Sequence, residues 1–159
     1  MRYPFLLFPL FIFAQEEMQT RTQVLMGTFV SITLHKTQND KITQSFQHIK
    51  QIEDSLSTYD PSASLFLLNK THHINYDPYL SEAINLSRAY YEDTHGYFDI
   101  TIGAISKDLY HFGEEQTYSP SQKELQNAHL DIRGISIDSQ HITTDKNITI
   151  DLGGMGKGY

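Results

Sequence analysis

No cysteine occurs in these 159 residues. That absence excludes disulfides, iron–sulfur clusters, a thiol nucleophile, Cys-ligated zinc and the lipid anchor of a lipoprotein. Positive charge is also scarce, with 12 Lys and Arg against 19 Asp and Glu and a formal net charge of −7. Nucleic acid is therefore excluded as a partner, because neutralising its phosphates takes clustered basic side chains. No apolar run reaches the ~20 residues that a membrane-spanning helix needs. Several motif frames are missing as well. There is no G-x-x-x-x-G-K-[ST] loop, no G-x-G-x-x-G, no G-x-S-x-G elbow and no H-x-x-x-H or H-E-x-x-H. The eight histidines thus read as surface or capping residues. Repeats, low-complexity segments and linkers are absent too.

What is present fits one domain with a real core, 39% of residues being hydrophobic and 12% aromatic. Residues 1–14 stand apart. Arg2 is followed by an apolar run from Phe5 to Ala14, the pattern of a short signal peptide and hence of export. The alternative is a buried N-terminal strand, although this run does not alternate.

Downstream, Gln23 to Lys36 reads as a strand pair or one long strand, with Val30, Ile32 and Leu34 on one face. Met26-Gly27-Thr28 interrupts it as a bulge or tight bend. Asn39-Asp40 caps a helix over 40–57, with Ile42, Phe46, Ile49, Ile52 and Leu56 at helical spacing. Ser62 to Asn69 predicts one or two helical turns. Asp77-Pro78 starts a helix running to about Thr94, and His95-Gly96 ends it. Phe98 to Thr101 is expected to be extended, Gly103 to Phe112 helical, and Ser119 to Gln126 a short capped helix. Strands are expected at Gly134–Asp138, His141–Thr144 and Ile148–Leu152, the first two forming a hairpin. The class is α+β, with a mixed or antiparallel sheet flanked by helices.

The chain's most informative stretch is Asp151-Leu152-Gly153-Gly154-Met155-Gly156-Lys157-Gly158-Tyr159. Four glycines there let a backbone approach a ligand, free N–H groups can hold a phosphate, and Lys157 can neutralise it. The same stretch should open a helix. Its simpler reading is a glycine-rich turn or a flexible tail. Gly96-Tyr97-Phe98-Asp99-Ile100-Thr101 is either a helix C-cap with a hydrophobic contact or a wall for a planar ligand. Tyr59 is either a core tyrosine or a stacking surface.

Taken together and in order, four segments resemble the ApbE family of FAD:protein FMN transferases. They are Met26-Gly27-Thr28; Leu56-Ser57-Thr58-Tyr59 with Ser64 and Leu68-Asn69; Gly96 to Gly103; and Asp151 to Tyr159. The resemblance covers residues 24 to 159. It implies a T-fold-like α+β domain, with 15–159 as its N-terminal part, because family chains are longer. The implied reaction transfers FMN from FAD to a threonine hydroxyl of a target flavoprotein and releases AMP. The implied partner is a flavin-acceptor subunit of a redox complex. The implied location is the periplasm, in association with the inner membrane. Met26, Tyr59, Tyr97, Phe98, Asp99, Asp151 and Lys157 would contact FAD, and the Gly154 carbonyl would be one ligand of Mg²⁺. The acceptor threonine lies on the target, so no nucleophile is expected here, and the general base is not identifiable. A missing helix beyond Tyr159 would leave strand 148–152 uncovered and the chain of low stability. The alternatives are a non-catalytic flavin-binding module and an inactive truncated product.

Overall fold

The computed structural model describes residues 17–115 and 118–159. The expected signal peptide, 1–14, lies outside the described residues. Strands β1 (Met18–Leu25) and β2 (Thr28–His35) form an antiparallel hairpin in which Leu25 faces Thr28. Its two-residue turn has positive φ at both Met26 (52°) and Gly27 (68°), which is a type I′ turn. The bulge-or-bend expectation resolves into this turn, and β1 reaches further towards the N-terminus than expected.

Helix α1 (Asn39–Leu56) packs along the hairpin. Its Ile42, Phe46 and Ile49 meet Leu25, Val30, Ile32 and Leu34 in a small core of their own. The same stripe continues through Ile52 and Leu56 into the main core, so α1 joins the two cores by one helical periodicity. The expected Asn39-Asp40 cap does not form. Gln38 is the N-cap and makes no side-chain cap bond.

Helix α2 (Ser64–Thr71) ends at His72, whose left-handed φ of 58° turns the chain into β3 (His73–Asn75). Helix α3 (Pro78–Asp93) begins as the Asp77-Pro78 pair dictates, Asp77 accepting from the Leu80 N–H at 3.0 Å. Asp77 also accepts from Ser55 at 2.7 Å and Ser64 at 2.5 Å, so one carboxylate ties together α1, α2 and α3. His95 and Gly96, both with positive φ, end the segment as expected.

The next stretch differs from expectation. Residues Ile100–Ile102 form a 3₁₀ turn rather than extended chain, and α4 is only Gly103–Ser106. Asp99 caps that turn through the Thr101 N–H and hydroxyl, which pulls the backbone out of a strand path. Beyond Ser106, wide turns carry the chain to His111 and Gly113, both with positive φ. Helix α5 (Gln122–Asn127) has a capping box of Ser121 and Glu124. Strands β4 (Ile135–Ile137) and β5 (His141–Thr144) form the expected hairpin, and β3 pairs on the other side of β5 in an antiparallel order β3-β5-β4. Ile74, Ile142 and Ile137 line up across it.

The third expected strand, 148–152, joins no ladder. Its backbone pairs with the Asn69 side-chain amide and, through the Asp151 N–H, with the Ile100 carbonyl. Even so, Ile148, Ile150 and Leu152 are buried in the main core. The cover expected to be missing is thus present for this segment, supplied by α2, α3 and the small sheet. Among the described residues, no helix is long and apolar enough to cross a membrane.

Candidate functional site

The hairpin turn, the end of α1, the residues after α4 and the glycine-rich segment converge on one cleft of about 730 Å³. Its walls include Met26, Tyr59, Lys107, Asp151, Gly156 and Lys157. Of the residues singled out in the sequence, it brings together Met26, Tyr59, Asp151 and Lys157.

Each has a local reason for its place. The Met26 N–H donates to Glu53 Oε1 at 2.6 Å, clamping the hairpin turn against α1. The Met26 methyl lies beside Gly156, 3.7 Å from where a Cβ there would sit. The Ser57 hydroxyl accepts from the N–H groups of Tyr59 and Asp60, each at 3.1 Å, which fixes the bend that presents Tyr59. Asp151 accepts from the Gly153 N–H at 2.8 Å and from the Ser106 hydroxyl at 2.6 Å.

The glycine segment is not the row of free N–H groups expected. Gly153 bonds Asp151, while Met155, Gly156 and Gly158 close helical turns onto the Leu152 and Met155 carbonyls. Among the described residues, Leu152, Gly154 and Lys157 have the segment's N–H groups without a protein partner. None of the four glycines has positive φ. At Gly156 the space is tight instead, a Cβ there falling 3.2 Å from the Leu152 carbonyl oxygen. The segment was expected to open a helix; among the described residues it makes only these turns.

Three other residues lie elsewhere. Tyr97 is 96% exposed and outside the cleft. Phe98 lies across the glycine segment in a second groove of about 410 Å³ with Gly154, Met155 and Tyr159. Its ring meets Tyr90 edge-on at 5.7 Å. The Asp99 carboxylate is engaged with Thr101. In the same groove, burial and then the Glu82 carboxylate push the Tyr159 phenol well above its ordinary pKa.

Sequence reading missed Lys107, Lys50, Glu53 and Asp60, which also line the cleft. Lys50 is kept charged by Asp54 first and Glu53 second, which raise its pKa. At the rim, the Ser62 hydroxyl and then its N–H hold the Asp60 carboxyl below the usual carboxylate range. No spacing rule connects Lys107 to Tyr59, 48 positions earlier. Only the fold does.

The ApbE family profile matches residues 26–159. The chain belongs to the ApbE family. No curated protein sequence matches it. Its fold is similar to that of the ApbE protein of Thermotoga maritima, with a TM-score of 0.77 and 23% identity over 90% of this chain and 50% of that one. It is similar also to the Pseudomonas stutzeri flavinyl transferase ApbE (TM-score 0.80, 18% identity, 93% of this chain and 53% of that one). A third is the Vibrio cholerae flavin transferase ApbE (TM-score 0.76, 20% identity, 89% and 50%). The chain thus spans about half the length of these ApbE structures. Over that half it has their α+β arrangement of antiparallel sheets flanked by helices.

The two expected small molecules fare differently against the ApbE chain's own donors. A cleft of this volume, with an aromatic wall and cations, suits a dinucleotide. Magnesium does not fit in the same way. Among the described residues, no three His, Asp or Glu side chains gather as metal ligands. The Gly154 carbonyl is a single oxygen, far short of an octahedral shell.

Proposed function

We propose that this chain forms the FAD-binding part of an enzyme that transfers FMN from FAD to a threonine hydroxyl of a target flavoprotein. The observation that carries the proposal is the convergence of Met26, Tyr59, Asp151 and Lys157 on one cleft. In this reading the threonine oxygen bonds to the FMN phosphorus and the diphosphate P–O bond breaks. AMP leaves with the bridging oxygen, and the threonine proton is released.

The chain's own residues bind and orient. Tyr59 offers its ring to the isoalloxazine. The Lys157 N–H and ammonium, on the cleft wall, meet the diphosphate, where charge builds as AMP leaves. Asp151, gripped by Gly153 and Ser106, keeps the glycine segment in place. Mg²⁺ dependence belongs to the same proposal and requires ligands beyond Gly154. So do a periplasmic location, the inner-membrane association and a redox-complex subunit as acceptor.

The test is binding followed by transfer. The chain is titrated into FAD, and flavin fluorescence falls as the ring stacks. It is then mixed with FAD, Mg²⁺ and a threonine-bearing acceptor domain, whose intact mass is read. A gain of one FMN supports the proposal. FAD that binds without transfer, with transfer appearing when the other half of an ApbE chain is added, also supports it; without that restoration the result points to the non-catalytic flavin-binding module, and a chain that does not bind FAD sinks both.

A further inference from the structure

Lys107 is one of the cleft residues that no motif marks. Its ammonium donates to the Tyr59 hydroxyl at 2.7 Å and to the Phe112 carbonyl at 3.2 Å. It lies 4.2 Å from the Tyr59 ring centroid and 3.9 Å from Asp151 Oδ2. The Lys107 side chain is 17% exposed, whereas Tyr59 is 63% exposed. An open aromatic ring is thus held by a largely covered cation. Gly113 closes in on the same ring, since a Cβ there would fall 2.3 Å from Tyr59 Cε1.

This arrangement has a cost and a use. An exposed tyrosine samples several rotamers and loses that freedom when a ligand stacks on it, which weakens binding. A ring already fixed by Lys107 and Gly113 loses little. Because Lys107 donates, the phenol oxygen is the acceptor, and the phenol proton is free to point elsewhere in the cleft. Through Asp151, the same cation also connects the ring to the glycine segment.

We propose that Lys107 is a positioning residue that holds the Tyr59 ring as a preformed stacking wall for the planar part of the ligand. The proposal rests on the flavin reading of this cleft and adds to it the residue that sets ring recognition apart from phosphate recognition. Lys107 acts through Tyr59, and Lys157 serves the phosphates.

Two probes separate these roles: riboflavin, which has the ring without phosphate, and ADP, which has the phosphates without the flavin ring. Affinity and fluorescence quenching are measured for the unmodified chain, Lys107→Met, Tyr59→Phe and the double variant. K107M weakens riboflavin about tenfold, the scale of one hydrogen bond to a charged group, and reduces the quenching at saturation. Its ADP affinity stays within about twofold. Y59F removes the acceptor and gives the same loss. The double variant is no worse than K107M, because both remove one interaction. Should K107M fail to fold, K107Q, whose amide still donates, retains most of the quenching. Equal loss of ADP and riboflavin, additive losses in the double variant, or unchanged quenching in K107M each overturn the assignment. If the unmodified chain binds FAD while K107M behaves identically, only this inference fails. If the unmodified chain binds neither FAD nor riboflavin, the flavin reading fails with it.

Discussion

Asn69 and Ile150 exchange two hydrogen bonds across 81 positions. The Asn69 amide donates to the Ile150 carbonyl and accepts from the Ile150 N–H, each at 2.8 Å. One side chain thereby does the work of a neighbouring strand for a buried segment that joins no sheet. Asn69→Ala leaves a buried N–H and a buried C=O without partners. It lowers unfolding free energy by about 2–3 kcal/mol, measured by urea denaturation. Because 150 leads into Asp151 and the cleft, weaker FAD binding accompanies the loss. An N69A chain as stable as the parent would show that water satisfies those groups.

Gly103 touches the same segment from the other side. A Cβ on it would lie 2.3 Å from the Thr149 carbonyl oxygen, which is backbone and cannot swing away. Gly103→Ala is expected to cost about 3 kcal/mol or more and to lower Tm in a calorimetric scan. A Tm shift under ~2 °C would contradict so close a contact.

Glu53 holds the hairpin turn through the Met26 N–H at 2.6 Å. Glu53→Gln keeps an oxygen acceptor and changes FAD affinity by less than about threefold. Glu53→Ala releases the turn and weakens FAD by about tenfold, while the main core, which Glu53 does not enter, keeps its near-UV circular dichroism. Equal effects from the two variants would mean that the charge matters rather than the clamp.

The pH dependence of α5 follows from its capping box. The Ser121 N–H first, and its hydroxyl second, hold the Glu124 carboxyl below its ordinary value of 4.5. The folded pKa is depressed. The contribution is therefore complete above about 4.5 and is lost as pH falls through the lower folded value. Amide protection at 122–127, taken relative to the intrinsic exchange rate at each pH, should fall from pH 5 towards pH 3 in the parent. In Glu124→Gln it should show no such step. An identical acid response in both chains would place the cause elsewhere.

Much of the architecture was legible in the sequence because local rules govern it. The Asp77-Pro78 start of α3, the α1 stripe from Ile42 to Leu56, the Ser121–Glu124 box and the β4–β5 hairpin each depend on residues within a few positions of one another. The family motifs were legible too, and they named four residues that the cleft does bring together.

Other features depended on partners distant in sequence. Ile148 to Leu152 has the composition of a strand, yet Asn69 and Ile100 take its hydrogen bonds, so no ladder forms. Phe98 to Thr101 looked extended until Asp99 turned it with its own carboxylate. The loop glycines promised a row of free amides, but turns took those of Gly156 and Gly158 and Asp151 took that of Gly153. Composition and spacing by themselves determined the α+β class, the Asp77-Pro78 start of α3 and the motifs, since those are short-range propensities. The tertiary structure alone decided that Lys107 meets Tyr59 and that Met26 meets Gly156, because those contacts exist only when remote segments are packed together.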